Sequence, residues 1–205
     1  MTVRRSHTAT ASDGATTREL IRATSTELFA SYGFAATTMR NVADRAGVPP
    51  SAFYYYFRSK YDVLLAIMDA AMTRLEAAVA EAKDADGEPD ELLVALVSRH
   101  IEVHLVDPGV ARVADNEIHS LNDEDRDAMI ARRDAYEQHF RAVLAAGVQT
   151  GRFDPDLDIP IASMAILTMA TGVIDWWRPT GRYSIEDTAQ LVGRFALAMV
   201  SKRPA

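Results

Sequence analysis

The sequence predicts an all-α protein: an N-terminal helix-turn-helix head of three helices joined to a larger helical body, about nine helices in all. Three observations carry this. Apolar residues recur at helical spacing from end to end, and no segment alternates with the period of a strand. Residues 38–60 read as two short helices joined by a tight turn. The charge is split: residues 1–60 hold eight Lys and Arg against four Asp and Glu, a net +4, while the rest of the chain holds 14 against 25, a net −11. A basic head on an acidic body is the asymmetry of a nucleic-acid-binding module attached to something else.

Residues 1–15 are small, polar and aperiodic, and read as a disordered basic arm in which Arg4 and Arg5 are solvated or reach toward nucleic acid. Residues 16–60 form the head. Thr16 and Glu19 have the spacing of a capping box, so the first helix starts there. Ile21, Leu28, Phe29 and Tyr32 form its inner stripe, and Gly33 ends it. In the second helix Met39, Val42, Ala43 and Ala46 share one face, Thr38 caps the start, and Gly47 supplies the positive φ that closes it. Pro49 and Pro50 permit only a fresh start, because proline lacks the amide but fits a first helical turn.

The third helix spans residues 50–57. At roughly 100° per residue, Phe53 and Phe57 fall together and face the core. Ser51, Ala52 and Tyr55 fall opposite, with Tyr54 and Tyr56 on the flanks. A recognition helix needs this division: small or flat side chains toward base edges, hydroxyls to either side toward phosphates. Three consecutive tyrosines cannot all point inward, which argues against a plain aromatic core helix.

Residues 61–205 form the body. A long helix from Ser59 and Asp62 to Lys83 carries Val63, Leu64, Ile67, Met68, Ala71 and Leu75, and links head to body as one rod. A Gly87 and Pro89 linker precedes a helix over 90–106, ended by Asp107-Pro108-Gly109. Helices over 110–121, 123–150, 160–177 and 184–200 follow.

The residues at 38, 46–48, 53–57 and 60 resemble the TetR family of bacterial repressors: Thr38, Ala46-Gly47-Val48, Phe53-Tyr54-Tyr55-Tyr56-Phe57 and Lys60 stand in the family's order and spacing. The resemblance implies phosphate contacts from Thr38, Tyr54, Tyr56 and Lys60, and base-edge contacts from Arg40, Ser51, Ala52 and Tyr55. Pro49 and Ser51 depart from residues common in the family, so an operator sequence cannot be borrowed from a relative. The resemblance also implies a homodimer on a palindromic double-stranded DNA operator, and a body that encloses a small-molecule effector.

Small residues crowd the last two long helices (Ala162, Ser163, Ala165, Thr168, Ala170 and Gly172, then Ala189, Gly193, Ala196 and Ala198), which suits close approach of symmetry-related helices in a four-helix bundle. Candidate effector contacts are His100, His104, Arg112, Asn116, Glu117, Arg133, Tyr136, Met164 and Trp176, polar or adaptable residues set among apolar ones. His100 and His104 lie one turn apart and read either as half a metal site or as core-satisfied histidines; no third ligand stands at a telling spacing. Arg132 and Arg133 read as surface partners of Asp134 or Glu137.

The segments Asn116-Glu117-Ile118-His119-Ser120-Leu121, Arg132-Arg133-Asp134-Ala135-Tyr136, Gly151-Arg152-Phe153 and Trp176-Trp177-Arg178-Pro179-Thr180-Gly181 resemble regulators of sterol-ring and fatty-acid breakdown in actinobacteria, a branch whose effectors are acyl-CoA thioesters.

With no cysteine there is no disulfide framework or thiolate chemistry, and no catalytic residue, metal or cofactor is expected. No G-x-S-x-G elbow, phosphate loop or H-E-x-x-H motif is present, which speaks against an enzyme with an appended head. No apolar run reaches the roughly 18 residues of a membrane span, and no secretory signal opens the chain, so a cytoplasmic, membrane-free protein is expected. A helix-turn-helix protein without small-molecule induction remains the alternative.

Overall fold

In a computed structural model of the chain, residues 11–84 and 87–202 are described. Ten α-helices and one 3-10 turn are present among them, with no strand beyond an isolated bridge between Phe153 and Ser201. Arg4 and Arg5 lie outside the described residues.

The head comprises α1 (Ala11–Tyr32), α2 (Met39–Ala46) and α3 (Pro50–Tyr56). α1 begins five residues before Thr16, so the Thr16–Glu19 pair lies inside the helix rather than at its start. Tyr32 is 70% exposed, whereas Ile21 and Phe29 are buried; the inner stripe of α1 is completed instead by Ser25 and Thr26, whose hydroxyls donate back to the carbonyls of Ile21 and Arg22. A hydroxyl that bonds within its own helix can be buried without an orphaned donor. α2 starts as its sequence dictates: the Thr38 hydroxyl accepts from Asn41 N at 3.1 Å, and the Asn41 side chain accepts from Thr38 N. Gly47 closes it at φ 67°, with Val48 N donating to Ala43 O.

The rod α4 (Lys60–Asp84) runs from the head into the body, with Val63, Leu64, Ile67 and Met68 fully buried along it. α5 (Pro89–Val106) lies at the centre of the body against α4, α7, α8 and α10. Asp107-Pro108-Gly109 does more than stop α5. Asp107 caps α6 (Pro108–Asn116) by accepting from Val110 N at 3.2 Å, and Pro108 fills its first position. The 3-10 turn Ile118–Ser120 then leads to α7 (Asp123–Gln149). Phe153 folds back onto α7 where Gly147 leaves room; a Cβ on Gly147 would lie 2.0 Å from the Phe153 ring.

The single helix expected over 160–177 is two pieces, α8 (Ile159–Thr171) and α9 (Val173–Trp176), broken at Gly172, and α10 (Ile185–Val200) follows. Contrary to expectation, residues 159–176 do reach the 18-residue length and apolarity of a membrane span, with mean hydropathy 1.5; the break at Gly172 and the packing of Ile166, Ala170 and Val173 make them part of the bundle.

The small residues are also used differently from the expectation. Ala162, Ser163, Ala170, Ala189, Gly193 and Ala196 are buried within the subunit. At Gly193 an added Cβ would meet Val94 and Ser98 of α5 at 3.1 Å, so smallness here lets α10 press onto α5. Thr168 and Ala198 stay exposed, and the outward face of α8 and α10 also carries large apolar groups: Ile161, Met164, Leu191, Phe195 and Met199.

Candidate DNA-facing helix and effector cavity

α3 is short, so what orients it is packing rather than helix propensity. Phe53 and Phe57 are buried, their rings 6.1 Å apart, and Arg18 of α1 lies 5.0 Å over the Phe57 ring. With that side held, Tyr54 and Tyr55 stand out at 59% and 81% exposure. Ser51 is exposed beside them, Ala52 is half-buried, and Arg40 projects from α2 with only a loose pairing to Asp44 at 3.8 Å. Tyr56 differs from its neighbours: it is half-buried against the core, edge-on to Tyr55 with ring centroids 4.8 Å apart. Thr38 is exposed but serves α2 as its cap.

Lys60 is already engaged within the head. Its ammonium donates to the carbonyls of Phe34 (2.7 Å), Ala35 (3.2 Å) and Thr37 (2.9 Å), and lies 4.3 Å from the centre of the Phe34 ring. An ammonium has three donors, and all three go to the loop between α1 and α2. That loop is also tied to the body: Phe34 N donates to Glu117 Oε1 at 2.9 Å, and Ser120 holds the other oxygen of Glu117 at 2.6 Å. A second tie joins Tyr61 of α4, which donates to Asp125 of α7 at 2.6 Å.

The body encloses a cavity of about 220 Å³ between α4, α5, α6, α7 and α8. Its apolar walls include Met72, Leu75, Val103, Val110, Ala111 and Leu167. Of the expected contacts, His100, His104, Arg133 and Tyr136 line it. The others do not. Arg112 donates to the carbonyl of Ile174 at 2.8 Å and ties α6 to α9. Asn116 is exposed at the end of α6, and Glu117 belongs to the head contact. Met164 and Trp176 are 48% and 58% exposed on the outside of the body. Arg132, expected to pair locally, instead reaches across to Asp69 and Glu76 of α4 at 2.7 and 2.8 Å.

One polar chain inside the cavity centres on His100. His100 Nδ1 and Nε2 meet the hydroxyls of Tyr136 (2.8 Å) and Thr171 (3.0 Å), and His104 stacks on His100 with centroids 4.2 Å apart. Burial, with the neighbouring His104, holds His100 well below the ordinary histidine range, and burial alone raises the Tyr136 phenol. Burial also lowers His104 against the pull of Asp115, and raises the carboxyl of Asp115. Thr171, Arg74 and Asp115 line the cavity without having been singled out in the sequence. Only Asp115 left a trace there: four residues after Ala111, it is an acid on the apolar stripe of α6. Among the described residues, no group of three or more His, Cys, Asp or Glu side chains is placed to hold a metal ion.

Residues 13–67 match the family described as bacterial regulatory proteins, tetR family, and residues 86–200 match the tetracyclin repressor-like C-terminal domain. The chain is 29% identical to the HTH-type transcriptional repressor KstR2 of Mycobacterium tuberculosis over 84% of this chain and 85% of that protein. A tetR-family regulatory protein from Rhodococcus RHA1 superposes with a TM-score of 0.83 at 28% identity, covering 92% of this chain and 98% of the other. AibR, solved in complex with isovaleryl coenzyme A and operator DNA, superposes with a TM-score of 0.73 at 22% identity, covering 90% and 98%, a likeness of fold. The chain belongs to the TetR family of bacterial regulatory proteins, and it is a helix-turn-helix transcriptional regulator rather than an enzyme.

Proposed function

We propose that this protein is a homodimeric transcriptional repressor that grips a palindromic operator and lets go when a small apolar effector fills the body cavity. Residues 16–60 read the DNA, with Tyr54 and Tyr55 at the centre of the contact and Arg40 and Ser51 beside them. Thr38 and Lys60 fix the loop and helix that carry the face, and residues 61–205 bind the effector and the second subunit. The dimer forms through α8 and α10, where Leu191, Phe195 and Met199 repeat every fourth residue beside Ile161 and Met164, all exposed in the single chain. Two heads held about 34 Å apart would match successive major grooves.

The observation that carries the effector reading is that α6 belongs to both regions. Its residues Val110, Ala111, Ala114 and Asp115 wall the cavity, and Glu117, the residue that closes it, holds the Phe34 amide of the head. An occupant that prefers a different seat for α6 shifts the head by as much as its affinities for the two forms differ. An acyl-CoA thioester is the first class to try, because AibR was solved with one. The cavity suits an acyl group, with the nucleotide outside and Arg74 and Arg133 the cations of the lining.

The test is a gel shift on the protein's own promoter, repeated with acyl-CoA thioesters of graded chain length. Retarded bands that dissolve with one chain-length class support the reading. Binding that no ligand disturbs, in a protein whose melting temperature no ligand raises, supports the alternative of a regulator without small-molecule induction.

A further inference from the structure

Where the effector's polar part sits follows from hydrogen-bond accounting inside the cavity. His104 Nδ1 lies 2.9 Å from the carbonyl oxygen of His100. A carbonyl can only accept, so Nδ1 carries the proton and the neutral ring presents a bare lone pair at Nε2. That lone pair faces Asp115 Oδ2 at 3.9 Å, too far for a direct hydrogen bond. Oδ2 is sealed from solvent and accepts no hydrogen bond among the described residues. Nearby, Arg133 donates to Ala114 O at 2.7 Å and stands 3.7 Å from the other carboxylate oxygen, Oδ1, without reaching Oδ2. The sealed carboxylate oxygen therefore faces the imidazole lone pair across a gap, next to apolar walls, with no donor between them. A buried acceptor left unpaired is costly, and Asp115 Oδ2 favours a guest that supplies the missing donor.

We infer that the effector is an apolar molecule bearing a hydrogen-bond donor, a hydroxyl or an amine, which donates to Asp115 Oδ2 beside His104 Nε2. The inference rests on this cavity being the effector site. It adds to that reading a chemical requirement that an unsubstituted saturated acyl chain does not meet: the recognised part of the molecule carries its own O–H or N–H.

The experiment uses the full-length protein and three matched probes, 1-hexanol, hexylamine and 1-fluorohexane, followed by calorimetric titration and thermal shift. The parent should bind one or both donors about tenfold or more tightly than the fluoroalkane, which has the shape without the proton. A tighter amine marks Asp115 as a charged partner, and a tighter alcohol marks the pair as a neutral hydroxyl seat. Equal binding of hexanol and fluorohexane, as an ordered water in the gap would produce, overturns the inference.

Asp115→Asn supplies a second arm that needs no ligand. Its amide N–H lies on the side of the missing donor, so the unliganded variant should melt above the parent and lose the preference for hexanol over fluorohexane. A variant that melts at or below the parent overturns the donor gap even if no probe binds. If no probe binds while Asp115→Asn does stabilise, the donor gap stands and the effector-site reading fails.

Discussion

The proposed DNA-facing helix and the proposed effector cavity are joined by α4, yet they are assembled from the sequence in contrasting ways. The first is contiguous: residues 38–60 hold the cap, the turn, the two buried phenylalanines and the exposed tyrosines. The second draws on five helices, from Ala71 to Thr171, and its polar groups meet only after folding. The head exposes its chemistry and buries the support; the body buries its chemistry and satisfies most of it internally. Substitutions should therefore separate function from stability in the head, where the working groups are solvated, and entangle them in the body.

The largest effect tests the buried support. Phe53→Ala should cost about 3–5 kcal/mol, the usual range for emptying a buried aromatic site. Operator binding should vanish. Both tryptophans, Trp176 and Trp177, are in the body, so their fluorescence reports whether the damage stays in the head. A body signal that collapses along with DNA binding would break the contrast between the regions.

Tyr55→Ala, at an exposed site, should leave the melting temperature within experimental scatter while costing about 1–3 kcal/mol in operator affinity. Anisotropy titration against denaturation curves separates the two.

The body answers to pH. His100 is held neutral when folded, so below the ordinary histidine pKa of about 6.5 the unfolded chain takes up a proton that the folded chain refuses. Stability then falls as the pH drops from about 6.5, by up to about 1.4 kcal/mol per unit. The raised carboxyl of Asp115 acts with the opposite sign: its burial costs stability at neutral pH, and that cost is relieved as the pH falls through its folded pKa. Melting curves of the parent and His100→Asn across pH 4–7.5 should show a shallower acid slope in the variant; parallel slopes would remove His100 from the account.

The smallest expected effect lies between the regions. Glu117→Gln keeps an acceptor for the Phe34 amide but removes the charge, and should cost about 1 kcal/mol. Effector-induced release, read as the shift in operator affinity on adding ligand, should weaken more than operator binding itself.

How much could be read in advance follows the same division. The cap at Thr38, the stop at Gly47 and the inward pair Phe53 and Phe57 are local rules, and the structure places all of them as those rules require. The setting of Lys60 was hidden because a basic residue at a helix start looks free until the carbonyls of a loop 23 to 26 residues earlier arrive beside it. In the body, periodicity located the helices but not their partners. Gly193 and Ala196 looked like a seam between subunits and proved to be the seam between α10 and α5. Asp107-Pro108-Gly109 read as an end because proline stops one helix and starts another with equal ease. His100, His104, Arg133 and Tyr136 were found because polar groups inside apolar stripes are conspicuous; Glu117 and Arg112 satisfied the same test and were drawn to other partners.

The central claim is that an exposed tyrosine face on α3, held by buried phenylalanines, reads duplex DNA. The most direct measurement is selection of duplexes from a random library by the parent protein, followed by titration of the winners with parent and Tyr55→Ala over a range of salt. The account predicts a palindromic consensus for the parent, and a variant that stays folded, keeps salt-dependent binding and loses the preference for that consensus. A Tyr55→Ala protein that binds the same sequence with the same affinity would contradict it.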